Sequence, residues 1–351
     1  MSKIKILYTI PNFKTAGSQY VLLSLFRNID RDIFDPYICI ERFPEFVPED
    51  VLENQLILFE WSGKKNSDVL NFRSVLRKHK IDILHSWDYK SNYLEALACR
   101  VAGVKYVYTK KNNAWSKRWR LKSFSSNYIA YDNPEMKERF FGSWLFKHKV
   151  SFIPHGVDIN VFKPLKKISI DTFNVVCVGN IGDNKNQLFI IKALKNLPHN
   201  IVLHLYGKED KEYRQKLDDF IEVNNMNGRV HFHGYLDNVN IPQVYRKMDL
   251  FVLASYKEGL PVSILEALAC GLPVLSSDSG GGARYILSKG GGYIFDLDNP
   301  NSLVDILKRM ASNKEEIKRL SIEGIKNIKA NFSVQNEISS YEKVYLKSTK
   351  Q

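Results

Sequence analysis

Two acidic residues, Glu258 and Glu266, lie with seven residues between them in a stretch that predicts strand, loop, helix and strand in turn. The first strand is the continuous apolar run at 250–254, which is typical of a buried parallel strand. The helix is predicted from 262 to about 270, after Pro261, whose missing N–H suits a first helical turn. Ligands of such sheets bind beyond the carboxyl ends of the strands, where Glu258 must lie.

Glu266 is predicted two turns into the helix, so the two acids cannot be neighbours on one helical face. We therefore expect Glu258 and Glu266 to contact two separate parts of one elongated ligand. Neither acid is expected to be a core residue. The alternative is that Glu258 is a solvated loop acid and that Glu266 is an acid of the helix surface.

The residues around the two acids form a recognisable pattern: E-G-L-P begins at the first acid and E-A-L-A-C-G-L-P-V at the second. This pattern resembles the E-x7-E signature of the retaining glycosyltransferases of family 4. The resemblance implies that Glu258 lies at the donor sugar, with Gly259 and Leu260 beside it. It also implies that Glu266 binds the ribose hydroxyls of the donor nucleotide.

A loop rich in small residues, G-N-I-G-D-N-K-N at 179–186, follows another predicted strand. Small residues let backbone N–H groups approach a phosphate, and Lys185 lies where the next helix begins. An ordinary structural turn is the alternative. The family usually has Gly-Arg here and a Lys six residues after that Gly. Lys185 matches this pattern, whereas Asn180 replaces the Arg and removes one positive charge from the predicted donor site.

Two further donor-side residues rest on the resemblance alone. Gly17 follows Ala16 in the loop after the first strand, an approximate match to a Gly-Gly pair of the family. A turn with a helix cap by Ser18 is the alternative. Leu236 follows another strand in the phrase Gly-Tyr-Leu, and in the family this loop borders the nucleotide base.

Two candidates lie on the acceptor side. The phrase D-I-L-H, which ends at His85, resembles an Asp-x-x-His phrase of the family at a strand end. His85 is a candidate acceptor contact, and a hydrogen-bonded core histidine is the alternative. Lys111 is the positional match of a family histidine that contacts the donor sugar. A cation there indicates an anionic sugar, a phosphate or a relocated acceptor site.

The metal signals in the sequence are weak. Asp296 and Asp298 superficially match the Asp-x-Asp metal motif of another glycosyltransferase fold. They lie between a predicted strand and a helix start at Asn299-Pro300, so we interpret them as turn and cap residues. We predict no metal and no cofactor.

Strand and helix signals alternate in both halves of the 351-residue chain, which predicts two mainly parallel α/β sheets. This organisation resembles the GT-B fold, in which two Rossmann-like, doubly wound domains face a central cleft. The predicted acceptor domain is 1–165 and the predicted donor domain is 171–331, with a linker at about 163–171. A final helix at 332–348 is expected to pack back on the first domain.

The chain carries a net charge of +13, and 44% of its residues are hydrophobic. Eight basic residues and no acid fall within one segment: Arg100, Lys105, Lys110, Lys111, Lys117, Arg118, Arg120 and Lys122. Because Trp115, Trp119 and Phe124 interleave with them, the segment suits an anionic membrane surface or a phosphate-bearing acceptor. Nucleic acid is the competing partner, and a solvated basic face is the alternative.

No apolar run approaches 18 residues, so we expect a cytoplasmic protein. Its basic segment predicts a peripheral location on the inner face of the plasma membrane. The four cysteines lack metal-ligand spacing and are predicted to be buried free thiols.

These observations together predict a metal-independent retaining glycosyltransferase. It would transfer a sugar from a nucleoside diphosphate, most simply UDP, to a glycan or lipid-linked acceptor of cell-surface polysaccharide. Glu258 would polarise the sugar and Lys185 would stabilise the leaving diphosphate. The alternatives are a sugar-nucleotide epimerase or phosphorylase of the same fold, or a basic nucleic-acid-binding protein.

Overall fold

The computed structural model describes residues 3–11, 13, 17–41, 47–48, 51–87, 92–111, 114–164 and 172–350. The chain divides into two compact units. The first comprises Met1–His155 and Val334–Gln351, and the second comprises Gly156–Ser333.

The first unit contains a seven-stranded parallel sheet. Its strands are β1 (Ile4–Ile10), β2 (Phe34–Ile40), β3 (Leu56–Leu58), β4 (Ile83–Ser86), β5 (Lys105–Lys110), β6 (Tyr128–Tyr131) and β7 (Val150–Phe152). They lie in the order β3-β2-β1-β4-β5-β6-β7. The helices between them are α1 (Gly17–Asn28), α2 (Lys65–Lys78), α3 (Leu94–Ala102), α4 (Lys117–Ser125) and α5 (Glu135–Phe141).

The second unit contains a six-stranded parallel sheet. Its strands are β8 (Phe173–Val178), β9 (Ile201–Tyr206), β10 (Val230–Phe232), β11 (Leu250–Leu253), β12 (Val274–Ser277) and β13 (Gly292–Phe295). They lie in the order β10-β9-β8-β11-β12-β13. The helices are α6 (Gln187–Lys195), α7 (Lys211–Val223), α8 (Ile241–Tyr245), α9 (Val262–Ala269), α10 (Gly282–Leu287), α11 (Pro300–Ser312) and α12 (Lys314–Asn331). The prediction of two Rossmann-like α/β halves is confirmed.

In the second sheet the strand order reverses between β8 and β11, which are neighbours although two strands intervene in sequence. The carboxyl ends of the strands at such a switch point are where doubly wound sheets bind ligands. All four residues of β11 are buried, because helices cover both faces of a parallel sheet. The loops after β8 and β11 therefore mark the expected binding edge.

Helix α9 begins and ends almost where the sequence predicts. Cys270 caps it, and Gly271 has a φ of 80°, a left-handed conformation that commonly ends helices. Glu266 is only the fifth residue of α9, so its predicted position two turns into the helix is wrong. It lies little more than one turn from the helix start.

The C-terminal helix α13 (Val334–Thr349) belongs to the first unit, where Tyr341 and Tyr345 are fully buried. The Tyr341 hydroxyl bonds to the Thr109 hydroxyl at 2.9 Å, and the Tyr345 hydroxyl bonds to the Tyr8 hydroxyl at 3.3 Å. These bonds join α13 to the strand ends of the first sheet.

The units divide after His155, about ten residues before the predicted linker, of which 165–171 lies outside the described residues. The segment after His155 belongs to the second unit because its backbone is bonded there. Val157 N–H donates to the Phe332 carbonyl at 2.8 Å, and Arg246 donates to the Lys163 carbonyl at 3.1 Å.

All four cysteines are buried and free, as predicted. Within the part of the chain that the structure describes, we find no helix with the length and apolar character needed to cross a bilayer.

Candidate active site

Lys185 and Glu258 form an ion pair at the switch point of the second sheet. Lys185 ends a 3-10 turn that follows β8, and Glu258 lies in the loop that follows β11. Lys185 Nζ lies 2.6 Å from Glu258 Oε1, and the two side chains are 21% and 17% exposed. Two candidates that are 73 residues apart in sequence thus meet at one point, because their strands are neighbours.

The loop at 179–186, called here the phosphate loop, is shaped around Lys185. Gly179 has a φ of +152°, and a Cβ at this position would lie 3.1 Å from Lys185 Cε. A larger residue would therefore be strained and would also crowd the lysine. Gln187, at the start of α6, donates to the Asn180 carbonyl at 3.1 Å and accepts from Gly182 N–H at 3.3 Å. Asn180 itself is exposed.

The loop at 254–261, called here the acid loop, is fixed by backbone contacts. Glu258 N–H donates to the Ser279 carbonyl at 2.7 Å. A Cβ on Gly282 would lie 1.9 Å from the Gly259 carbonyl oxygen, so only glycine permits this approach. Leu260 is buried in the core of the unit. The backbone around Glu258 is therefore held from the loop after β12.

Glu266 is 8% exposed, and its carboxyl group interacts with the side chains of Tyr245 and Asn238. Burial raises the pKa of Glu266 to about 8, although these two interactions oppose the rise. The expectation that neither acid is a core residue is thus wrong for Glu266, whose side chain faces α8. Asn238 follows Leu236 by two residues, and Leu236 packs on the core. The predicted base loop and the predicted ribose acid are therefore in contact.

Asp296 and Asp298 form a turn, as predicted. Asp298 N–H donates to Asp296 Oδ1 at 2.9 Å, and the Asn299 side chain caps α11. In the described ranges, no group of three or more His, Cys, Asp or Glu side chains is placed to hold a metal ion.

His85 is fully buried at the end of β4, with both ring nitrogens bonded. Nδ1 lies 2.6 Å from the Tyr345 hydroxyl and Nε2 lies 2.8 Å from the Thr109 hydroxyl. Burial lowers the pKa of His85 well below its usual 6.5, and the charges of Lys111 and Lys122 lower it further. This geometry is that of a core histidine, the alternative that the sequence left open, and an acceptor contact by His85 stays a prediction.

Lys111 is buried near the same edge of the first sheet. Its Nζ donates to the Trp87 carbonyl at 2.5 Å and lies 4.6 Å from the centre of the Trp87 ring. Gly17 begins α1, and the preceding residues 14–16, which include Ala16, lie outside the described residues. The predicted roles of Lys111 and Gly17 stay predictions.

The basic segment is partly internal, so only some of its cations can belong to the predicted membrane-facing surface or to the solvated face that was the alternative. Lys110 and Lys122 are fully buried, and Trp119 is nearly so. Trp119, Lys122 and Ser123 share the inward face of α4 because they follow helical spacing. Lys122 Nζ lies 5.2 Å from the centres of the Tyr108 and Trp119 rings. Lys122 is therefore not part of a membrane-facing surface.

Three residues around the site were not predicted from the sequence: Asn184, Asn238 and Tyr245. Each is polar and lies next to a predicted donor residue in space, but only Asn184 is adjacent to one in sequence. The sequence marks Asn184 only by its position beside Lys185, and that position does not show which residue Asn184 contacts.

Comparisons with known proteins show to which family the chain is similar. The chain matches the model described as Glycosyltransferase Family 4 over residues 15–161 and the model described as Glycosyl transferases group 1 over residues 162–327. An Escherichia coli protein named UDP-Gal:alpha-D-GlcNAc-diphosphoundecaprenol alpha-1,3-galactosyltransferase is 27% identical over 359 aligned residues, covering 89% of each chain. The Rhizobium meliloti lipopolysaccharide core biosynthesis mannosyltransferase LpsB is 26% identical over 55% of this chain and 59% of its own.

Two solved structures are similar over nearly the full chain. A glycosyltransferase from Rickettsia africae superposes with a TM-score of 0.87 at 16% identity and covers 100% of both chains. Anabaena HepE in complex with UDP and glucose superposes with a TM-score of 0.82 at 18% identity and covers 97% of this chain and 99% of its own. These likenesses confirm the GT-B fold. Because the two family models together match most of the sequence, the chain belongs to family 4 of the glycosyltransferases and is a retaining hexosyltransferase.

Proposed function

We propose that this enzyme transfers a sugar from a UDP-sugar to a lipid-linked diphosphate acceptor during cell-surface polysaccharide synthesis. The donor half of this proposal rests on the Lys185–Glu258 pair at the switch point, where Lys185 lies two residues before the start of α6. The E. coli relative is named for a UDP-Gal donor and a GlcNAc-diphosphoundecaprenol acceptor, and the Anabaena protein is described with UDP. Both support the choice of donor, and the first supports the choice of acceptor.

The proposed chemistry places the diphosphate at Lys185 and at the N-terminus of α6, where a cation and the positive end of the helix dipole favour negative charge. The bond between the sugar C1 and the diphosphate oxygen breaks, and the acceptor oxygen bonds to C1 on the same face. The acceptor proton passes to the departing phosphate oxygen. Glu258 orients the sugar, and its negative charge stabilises the cation-like ring in the transition state.

The nucleotide half of the donor would bind beside α9. Glu266 accepts the ribose hydroxyls, and Leu236 borders the base. Contact between Glu266 and Asn238 keeps the base loop and the ribose acid together, so the nucleoside meets one preformed surface.

A lipid-linked acceptor requires access to a membrane, and the first unit offers a suitable surface. We define this basic-aromatic surface by its exposed residues: Lys117, Arg118, Arg120, Leu121, Phe124, Trp144, Leu145 and Lys147. Phe124 is 59% exposed and Trp144 is 77% exposed. The surface has two parts, at 117–124 and at 144–147. Lys149, which follows the second part, connects it to the first because its Nζ donates to the Phe124 and Ser126 carbonyls at 2.8 and 2.7 Å. Exposed rings among cations suit the interface of an anionic membrane, and we propose the cytoplasmic leaflet.

The direct test is to offer the purified enzyme a panel of UDP, GDP, dTDP and ADP sugars with a synthetic GlcNAc-diphospholipid acceptor. Product is detected by mass spectrometry, in parallel reactions with and without EDTA. We expect product with a UDP-sugar in both reactions, because Lys185 and the α6 N-terminus neutralise the diphosphate. Use of a different nucleotide alone would contradict the donor assignment. Donor hydrolysis without lipid product would contradict the acceptor assignment, and loss of activity that Mg²⁺ restores would contradict the metal-independent mechanism.

A further inference from the structure

Asn184 connects the phosphate loop to the acid loop at two consecutive residues. Its backbone carbonyl accepts from Tyr256 N–H at 2.9 Å, and its side-chain Nδ2 donates to the Lys257 carbonyl at 3.0 Å. The next residue on each loop is a member of the ion pair, Lys185 on one and Glu258 on the other. The hydrogen bonds of Asn184 and the Lys185–Glu258 ion pair therefore join consecutive residues of the two loops.

We propose that Asn184 is a positioning residue that holds the acid loop against the phosphate loop and so sets the separation of Lys185 and Glu258. Asn184 is itself exposed, and its amide reaches a backbone carbonyl, so it contributes no charge to the site. It acts on the reaction only through the two residues that follow it.

The opposite side of the acid loop has its own attachment, which makes the contribution of Asn184 distinct. Glu258 N–H donates to the Ser279 carbonyl at 2.7 Å, and the Ser277 hydroxyl donates to the Ser255 carbonyl at 2.7 Å. These bonds attach the acid loop to the β12 side and do not reach the phosphate loop after β8. The bonds of Asn184 supply that second constraint.

An asparagine suits this role because its short side-chain amide can donate to the Lys257 carbonyl while its backbone carbonyl accepts from Tyr256. Any residue keeps the backbone acceptor, so substitution removes only the side-chain half. Alanine removes the donor, whereas glutamine keeps an amide donor on a longer chain. The effect on overall stability is expected to be small because the bond is exposed, but misplacing reacting groups by about 1 Å can cost roughly 100-fold in rate.

The first test uses the ligand-free protein and needs no substrate. Amide hydrogen exchange is measured by mass spectrometry on peptides that cover residues 254–261. Asn184→Ala removes the bond from Nδ2 to the Lys257 carbonyl, so the acid loop should open more often although the backbone bond of Tyr256 remains. We expect the Tyr256 amide to exchange about five-fold faster, which corresponds to the free energy of one hydrogen bond. Asn184→Gln should restore slow exchange in part. The matched control is Asn224→Ala, which removes a side-chain bond to the Phe220 carbonyl on α7, and its acid loop should exchange as in the wild type.

The second test is a kinetic double-mutant cycle with whichever nucleotide sugar the wild type consumes. Asn184→Ala should lower kcat about ten-fold with little change in donor KM. In a Glu258→Gln background the same change should lower kcat by less than about two-fold, because the residue that it positions is already disabled.

Unchanged exchange at Tyr256 would overturn the proposal, and so would an equal loss of kcat in both backgrounds or an effect confined to KM. The kinetic arm rests on the proposed roles of Lys185 and Glu258. A wild type that consumes no nucleotide sugar would contradict the proposed function, and the exchange arm would still decide whether Asn184 holds the loop.

Discussion

Lys185 Nζ and Glu258 Oε1 lie 2.6 Å apart, so the two side chains predicted to act on different parts of the donor are bound to each other. The sequence assigns the lysine to the diphosphate and the glutamate to the sugar. In the structure each neutralises the other while remaining partly exposed. In the proposed mechanism an arriving diphosphate would compete with Glu258 for the lysine, and the displaced carboxylate would lie where we propose that the sugar binds.

The basic-aromatic surface should bind anionic vesicles. We expect sedimentation with vesicles that contain anionic lipid, weaker in high salt, because each basic residue near such a surface contributes about 1 kcal/mol. Replacing Lys117, Arg118 and Arg120 by Gln should reduce sedimentation strongly. Lys122 is left unchanged, since it is buried.

The matched control for this experiment removes the same charge from another exposed face. Lys318, Lys326 and Lys329 on α12 are exposed, and replacing all three by Gln should leave sedimentation unchanged. An equal loss in both triple variants would indicate a response to net charge alone. Competition by duplex or single-stranded nucleic acid would instead favour the partner class that the charge of the chain first suggested.

Glu266→Gln should raise the donor KM with little change in kcat, because ribose hydroxyls do not react and their contacts stabilise ground and transition states alike. Glutamine is the informative substitution, since it keeps a polar group of similar shape beside Tyr245 and Asn238, whereas alanine removes it. Steady-state kinetics on the variant, with circular dichroism as the folding control, measures this. A fall in kcat with unchanged KM would place Glu266 at the reacting sugar instead.

The same variant changes the pH dependence of stability. The folded-state pKa of Glu266 is raised from 4.5 to about 8, so folding favours the protonated carboxyl. Its contribution to stability is therefore present below pH 4.5 and is lost as the pH rises through about 8. Urea unfolding of both proteins across this range should show Glu266→Gln gaining stability relative to the wild type as the pH rises. A constant difference would contradict a buried, protonated Glu266.

His155 connects α13 to the first sheet through two carboxylates. Its Nε2 lies 3.3 Å from Asp132 Oδ2 and its Nδ1 lies 3.1 Å from Glu337 Oε1. Burial alone would lower the pKa of His155, but the bonds to Asp132 and Glu337 outweigh it and raise the pKa to about 9. The stabilisation is therefore fully present below pH 6.5 and is lost as the pH rises through about 9.

His155→Ala should destabilise the first unit by about 3–5 kcal/mol at neutral pH, because it leaves two buried carboxylates without their cation. The loss should shrink as the pH approaches 9, since the wild type then loses the same interaction. Urea unfolding at several pH values measures the difference, with the exposed His148→Ala as control. A penalty that is independent of pH would show that His155 is neutral in the folded protein.

Most of the fold follows from the apolar pattern of the sequence. The strand predicted at 250–254 and the helix predicted from 262 to about 270 match β11 and α9 to within one residue, because an apolar run between polar loops leaves little choice of bounds. No apolar helical pattern marks α4, since its inward face carries Lys122 and Ser123 rather than aliphatic residues. A lysine whose charge lies over aromatic rings does not register as a core residue in a hydrophobicity pattern.

The sequence names candidate site residues but not the contacts between them. The resemblance picked out Lys185, Glu258 and Glu266, and family membership decided between a transferase and the epimerase or phosphorylase that residue types alone left open. The ion pair depends on which strands are neighbours, and the burial of Glu266 depends on where α8 packs. Both are tertiary properties that no local spacing encodes.

In the proposed mechanism the charge of Glu258 stabilises the transition state. Glu258→Gln keeps the shape of the side chain and removes its charge, and we expect kcat to fall roughly 100-fold or more with a small change in donor KM. The matched control is Glu323→Gln, which breaks an equally short 2.6 Å ion pair with Arg319 on α12 and should leave kcat unchanged. A Glu258→Gln enzyme that remains folded by circular dichroism and keeps the wild-type kcat would contradict the catalytic assignment and leave Glu258 a solvated loop acid.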